Sequence, residues 1–527
     1  SDQVETTGFT LTGTASDNVA VSRVEASLSN SINGLVKDFH ELSIMPGSNE
    51  WAFTVTRDLL IPGSIINITV KAYDSTGHWS SQTVWLSVAN VEDQYAHVLN
   101  RTSFGLTPQS MEHIKLIGVD AYLAEQLNPN SIDDTVFQNS IAGMNPTTFK
   151  EFRVYSLKHM LYSKRQLLEA MTWFWDNHFN THYYKHGNVN YELQENNLFR
   201  ENALGNFRDL LGISAKSPAM LYFLDSVKNF KSEPNENYAR ELLELHTLGV
   251  ENVMHTDIEA LAKVFTGWQV KNDKFYFNSA RHNVKDKFAL GQVIPGGGVE
   301  EGEMVLDILA SHPSTANFIC SELIQYFVND VPPVNLVNQC ASVFLSSNGN
   351  IKQVLSTIFS STEFNDSVNY GVKVKTPLEY ITHFIRNTGG EFVDYLTLYS
   401  LSKMGFNLFA NPVPTGWAET GDKWLSTNFL VQQINFVNEM LGNTVDTNFS
   451  HVNLTDLFLN NNRHTANDVA GFINEIFFDG YMTQAELSIV LDHLNTPNTF
   501  DINGPDAETR LKKLVGFITA FPDYQMQ

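Results

Sequence analysis

The densest run of chemically capable side chains in this 527-residue chain is Asn235-Glu236-Asn237-Tyr238-Ala239-Arg240-Glu241-Leu242-Leu243-Glu244-Leu245-His246. Read as a helix with Pro234 in its first turn, the run places Asn237, Glu241 and Glu244 on one face with Arg240 beside them. Asn235 or Glu236 then lies near the positive helix end. Inward carboxylates at this spacing suit two tasks: holding a divalent metal ion, or serving as general acid and base. Glu241, Arg240, Glu236 and Asn237 are therefore the candidate catalytic residues, with Glu241 and Glu244 as candidate metal ligands. The same residues also read as an Arg–carboxylate network that joins helices, with Glu244 in solvent, because charges are buried only when paired.

Two histidines extend the candidate metal set. His178 lies in His178-Phe179-Asn180-Thr181-His182, flanked by Trp173, Trp175 and Tyr183. Histidines four apart on a helix can share one ion, but no Glu follows His178 as the zinc-protease pattern requires. His282 ends Phe275-Tyr276-Phe277-Asn278-Ser279-Ala280-Arg281-His282, in a loop that would face a cleft. Each histidine also reads as a hydrogen-bonded core residue. His178, Glu236, Arg240, Glu241 and His282 are expected to converge on one cavity if they act together. Trp175, Trp268 and Trp417, with Trp424, are candidate platforms for stacking a sugar, although cores use Trp equally. His312, before Pro313, looks like a helix-start residue, while His186, His255 and His464 lack supporting context. Gly296-Gly297-Gly298 lacks the Lys-Ser/Thr of a phosphate loop, and there is no Gly-x-Ser-x-Gly elbow.

Positioning such groups requires a scaffold, and the chain shows two textures. Up to about residue 90 the pattern alternates: Phe9–Ala15, then Val24, Ala26 and Leu28 against Arg23, Glu25 and Ser27. Trp51–Val55, Ile65–Tyr73 and Thr83–Val88 follow, with turns at Ser16-Asp17-Asn18 and Asp74-Ser75-Thr76-Gly77-His78. Short alternating strands of this kind predict a β-sandwich. Beyond Val91 apolar residues recur at helical spacing, with long stretches at 148–182, 189–212 and 235–248, and with 257–266 capped by Thr256 or Asp257. The segment 270–298 reads as a hairpin or long loop. The expected architecture is multidomain: an all-β immunoglobulin-like sandwich over 1–91, then a large, mainly α-helical functional domain over 92–527.

The formal charge of -24, from 34 basic and 58 acidic side chains, disfavours nucleic acid and anionic lipid as partners. No apolar run reaches the roughly 20 residues that span a bilayer. The opening Ser1-Asp2-Gln3 reads as a mature or trimmed chain. Cys320 and Cys340 fall on two helices, 314–328 and 334–345, joined by a short turn. Both lie roughly 9–12 Å from that turn, which predicts a disulfide between antiparallel helices; two buried thiols are the alternative.

From about Tyr95 to Leu441 the chain resembles the bacterial domain-of-unknown-function family 1800. The resemblance rests on His97-Val98-Leu99-Asn100-Arg101 with Phe104-Gly105, Trp175-Asp176-Asn177-His178-Phe179, Asn197-Leu198-Phe199-Arg200, Leu204-Gly205-Asn206-Phe207 and Pro234–Leu245 with Thr247-Leu248-Gly249. Phe265-Thr266-Gly267-Trp268, Arg281-His282, Ser311-His312-Pro313 and Gly416-Trp417 complete it. It implies an exported helical protein without an assigned reaction. The first 90 residues resemble bacterial immunoglobulin-like modules, through Thr12–Asn18 and Val70–Gly77, which serve as spacers or docking surfaces. The resulting expectation is an exported (periplasmic, cell-surface or extracellular) enzyme that uses a divalent metal ion on an extracellular polymer such as polysaccharide. The alternatives are a non-catalytic secreted binding or assembly protein and a metal-free glycosidase with paired carboxylates.

Overall fold

The computed structural model describes residues 2–4, 9–14, 21–30, 34–42, 50–55, 65–88, 91–443 and 450–527. The chain divides into two compact units, Ser1–Gln94 and Tyr95–Gln527, against an expected boundary after residue 91.

The first unit holds β1 (Asp2–Val4), β2 (Phe9–Thr14), β3 (Val21–Asn30), β4 (Gly34–Leu42), β5 (Glu50–Val55), β6 (Ile65–Asp74) and β7 (Trp79–Val88). One sheet runs β1-β7-β6-β3-β4 and the other pairs β2 with β5. Val24, Ala26 and Leu28 of β3 are buried with Ile66 and Ile68 of β6 and Phe53 and Val55 of β5, so both sheets share one core. At roughly 1.5–3 kcal/mol per large apolar side chain, this alternation is the main force holding the unit together. The opposite face of β3 is polar, and Arg23 lies over the Tyr73 ring. At the β6–β7 turn Asp74 Oδ1 accepts from the backbone N–H of Thr76 (2.7 Å) and His78 (3.0 Å). Gly77 takes a φ of +90°, which a side chain would resist. Strand β4 is absent from the sequence expectation. Its pairing with β3 shifts register between Ala26 and Ser29, and such bulges erase strict alternation. The expected turn Ser16–Asn18 lies outside the described residues. Trp51 packs against the core, Trp79 is exposed, and the side chain of Trp85 lies outside the described residues.

The second unit is mainly helical around one extended apolar core. The expected 148–182 stretch is two helices, Phe149–Tyr162 and Gln166–His178. The break has a polar cause: buried Asp134 accepts from Ser163 Oγ (2.9 Å) and Lys164 N (2.8 Å), drawing the chain out of helical register. Because the second helix ends at His178, His182 is not on the same helix and no shared-ion pair forms. Helix His255–Val264 replaces the expected 257–266 and has no side-chain cap. Asp257 instead accepts the backbone N–H of Leu290 at 2.9 Å. The 270–298 segment makes two hairpins, β8 (Trp268–Lys271) with β9 (Lys274–Phe277) and β10 (Lys287–Ala289) with β11 (Gln292–Ile294). Helices Pro313–Phe327 and Val334–Ser346 pack together and carry the expected Cys320–Cys340 disulfide, Cα–Cα 5.8 Å. His312 caps the first of them, accepting from Ser314 N at 3.1 Å. No helix among the described residues is long and apolar enough to cross a membrane.

Candidate functional site

Helix Asn237–Glu244 buries Tyr238, Ala239, Leu242 and Leu243 and turns its polar residues outward. Asn235 Oδ1 caps its approach by accepting from Asn237 N (2.9 Å). Arg240 pairs with Glu236 (3.0 Å) and Glu244 (3.4 Å), each four residues away, and all three side chains keep between 24% and 38% of their surface in water. This is a solvent-side clamp of the kind worth a few tenths of a kcal/mol per pair, not a buried inter-helix network. Asn237 is exposed and Glu241 half-buried. Burial, reinforced by the charge of Glu244 and opposed by Arg240, moves the Glu241 carboxyl upward, toward neutrality.

The two histidines enter separate networks. His178 is buried with both ring nitrogens engaged, Nδ1 by Glu322 Oε2 (2.7 Å) and Nε2 by the His246 carbonyl (3.2 Å). That carbonyl lies just past the Asn237–Glu244 helix, so His178 touches the segment that follows the acidic helix. His282 is also buried, held by the Thr266 carbonyl (2.8 Å) and Glu301 (3.0 Å). Glu301 further accepts from Lys287 and from Gly297 N, so this network ties β10 and the following glycine loop to the segment between helix His255–Val264 and β8. Neither imidazole has a nitrogen free for an ion.

The tryptophans are structural where they lie. Trp268 and Trp175 are wholly buried, and Trp175 donates to the Ala203 carbonyl at 3.0 Å. Trp417 stacks on Phe406 at 4.7 Å, and Trp424 is buried beside it. Asn177 holds this corner, donating to the Trp417 carbonyl (2.9 Å) and Glu419 (2.7 Å) and accepting from Trp417 N (2.7 Å). Gly416 has φ +69°, and a Cβ there would stand 2.3 Å from the Asn177 carbonyl. Two sequence motifs far apart in the chain, Trp175–Phe179 and Gly416-Trp417, are thus one packing joint.

Three groupings were not apparent from the sequence. The first is a buried acidic cluster. Asp176 takes a hydrogen bond from Asn196, Glu192 pairs with His186 (2.8 Å), and Thr181 lies between Glu192 and Glu195. Burial pushes Asp176 up to about 8 and Glu195 well above the carboxylate range. Burial would also raise nearby Glu169, but Arg200 and His159 outweigh it and hold that carboxyl at about 2. The hollow lined by Asp176, Thr181 and Glu192 is about 10 Å³, room for roughly one water and no substrate. The three- and four-residue spacing of Glu192, Glu195 and Asn196, which puts them on one face of helix Val189–Asn202, was the available signal.

The second grouping is Glu236, His255 and Glu259. One ligand atom from each lies within 4.8 Å of the others, the one such group among the described residues. His255 and Glu259 sit one turn apart on helix His255–Val264 and also contact each other at 3.4 Å. An i, i+4 His–Glu pair was the available signal. The third is a cleft of about 650 Å³ beside helix Pro108–Ile117, with His113, Tyr122, Glu125, Leu161 and Arg386 in its wall.

Taken together, the unit is a helical scaffold in which the motif residues mostly hold elements to one another, with polar groups left at one surface cluster and one cleft. The chain belongs to the family described as Protein of unknown function (DUF1800), which matches residues 97–526. Compared with curated proteins and with solved structures, the chain matches none.

Proposed function

We propose that this protein is an exported, divalent-metal-dependent enzyme acting on an extracellular polymer such as polysaccharide, with the ion held by Glu236, His255 and Glu259. The observation that carries this reading is the approach of three ligand atoms from two adjoining segments to within 4.8 Å of one another. Around an ion at about 2.1 Å such atoms stand roughly 3–3.5 Å apart, a closure that exposed side chains reach by rotation. One imidazole and two carboxylates leave coordination positions open, the arrangement of catalytic rather than structural ions. The ion would polarise a substrate oxygen or activate water. Glu241, on the helix that begins just after Glu236, has a carboxyl already moved toward neutrality and suits proton transfer. An open surface site also suits a polymer, which an enclosed cavity would exclude. Export is supported by the Cys320–Cys340 bridge, since disulfides persist in oxidising compartments. The β unit is read as an immunoglobulin-like spacer.

Calorimetric titration of chelator-treated protein with Zn²⁺ and Mn²⁺ tests the site. One ion per chain is expected, lost in Glu236→Gln and His255→Ala with the circular dichroism spectrum unchanged. Uptake that survives both substitutions, or no uptake at all, rejects it. A second reading, a non-catalytic binding or assembly protein, is favoured by the full engagement of His178 and His282 in structural bonds, and absence of ion binding leaves it standing beside the metal-free glycosidase.

A further inference from the structure

The 650 Å³ cleft contains a charge without a counter-charge. Arg386, on helix Pro377–Thr388, donates from Nε to the Gly105 carbonyl (2.5 Å) and from Nη1 to the Leu161 carbonyl (2.5 Å). Both acceptors are neutral, and among the described residues no carboxylate lies within 4 Å of the guanidinium. Desolvation lowers the group to about 10, and Tyr122, which acts on it electrostatically, is itself raised to about 12 by burial and so is an uncharged phenol. A guanidinium carries five N–H donors in a rigid fork. Two are spent on backbone carbonyls, which fix the plane, and three remain, one on Nη1 and two on Nη2.

The acids of the same cleft are already engaged. Glu125 binds His113 at 2.7 Å, and Asp133 accepts from Thr135 N at 3.1 Å. The polar wall is engaged as well: Gln166 and Gln126 are bonded through both ends of their amides to the backbone. Such groups shape the cleft but offer few unmade hydrogen bonds to a ligand. What remains for recognition is the fixed guanidinium of Arg386, the exposed ammonium of Lys164, the Gln109 amide, and carbon surface from Ile132, Leu161 and the rings of Tyr122 and Tyr162.

We propose that this cleft binds a small organic carboxylate with an apolar or aromatic body, its acid group on the free edge of Arg386. The volume falls within the range of small-ligand sites, roughly 300–1,000 Å³. A planar carboxylate matches the guanidinium fork and supplies the acid that Arg386 lacks within 4 Å among the described residues. A half-enclosed cation without a partner is costly in the empty cleft, and the ligand relieves that cost. The inference is independent of the proposed cation site, whose residues lie outside this cleft.

The test is titration of the full chain with 3-phenylpropionate and, in parallel, with its neutral isostere 3-phenylpropionamide and with inorganic phosphate. The acid is expected to bind once per chain, with the amide at least tenfold weaker and phosphate weaker than the acid. Equal binding of acid and amide, or no binding of the acid, overturns the proposal, and tighter binding of phosphate reassigns the ligand and overturns the carboxylate. Arg386→Gln should abolish acid binding. Because that change also removes two backbone contacts, Lys164→Glu, at an exposed cleft residue, serves as the second variant. It should weaken the acid at least threefold without affecting the amide, and unchanged affinity for the acid counts against the site.

Discussion

At the scale of single residues, the acidic helix is more solvated than its sequence implies. Glu241 makes no ion pair within 4 Å among the described residues, and its carboxyl is held upward by burial and by Glu244. A raised carboxyl is a group whose charged form the fold disfavours, so its contribution declines as pH rises through the shifted value. Glu241→Gln is therefore expected to leave the melting temperature at pH 7 unchanged or slightly higher. A loss of several kcal/mol, as for a broken buried pair, would contradict this placement. Arg240→Ala removes two exposed pairs and should cost less than about 1 kcal/mol in a denaturant titration. It should also push the Glu241 carboxyl further up, because Arg240 is the charge that opposes the shift. The acidic helix was legible from the apolar face of Tyr238, Leu242 and Leu243, but its bounds were not: Asn237–Glu244 is shorter than the expected 235–248 and leaves Pro234 outside its first turn. The partner choice of Arg240 was only half legible: spacing allows i−4 and i+4 partners, and rotamers decide between these and the adjacent Glu241.

At the scale of elements, the disulfide is the feature that local reasoning reached most directly. Two helices joined by a short turn must pack antiparallel, and Cys320 and Cys340 then fall at matching heights. Both are fully buried in the interface. Thiol titration of denatured, unreduced protein should find no free thiol among these two. Replacing both by Ala should lower stability by about 3 kcal/mol, the order expected for a loop of this size. The expected 189–212 stretch divides into helices Val189–Asn202 and Phe207–Lys216, and two other failures at this scale share one cause. The 148–182 stretch breaks because Asp134, some thirty positions earlier in the chain, captures Ser163 and Lys164. The helix at His255 starts early because Asp257 serves β10–β11 instead of its own cap. Periodicity reports which face an element buries but not which distant side chain competes for its backbone.

At the scale of the whole molecule, buried titratable groups set a pH window for the fold. Asp176 and Glu419 are pushed up to about 8, chiefly by burial, so between about pH 4 and 8 the unfolded chain ionises them while the folded chain keeps their protons. Each such group costs stability at up to about 1.4 kcal/mol per pH unit as pH rises through that window. Buried His97, His246 and His383 are moved the other way by desolvation, His246 to about 3. They remain neutral in the fold, so stability is lost as pH falls below about 6.5. The two trends cancel between about pH 4 and 6.5, and beyond either end one acts alone. Denaturation midpoints measured across pH should lie on a plateau between about pH 4 and 6.5 and decline from there toward pH 8. Asp176→Asn, which keeps the size and a polar contact to Asn196, should flatten the alkaline decline.

By itself the sequence determined the two textures, because alternation with a period of two and spacing near 3.6 are properties of the chain and survive any packing. It also determined the acidic helix and the cysteine pairing, both of which depend on separations of a few residues or on one short turn. Only the tertiary structure decided that His178 and His282 belong to different networks, that Asn177 carries the Gly416-Trp417 corner, and that Glu236 meets His255 and Glu259. It also decided that Arg386 faces a cleft with no carboxylate within 4 Å of its guanidinium among the described residues. Each of these depends on contacts between positions roughly twenty to three hundred residues apart. Such contacts are set by how whole elements dock, and no local pattern in the chain encodes the docking.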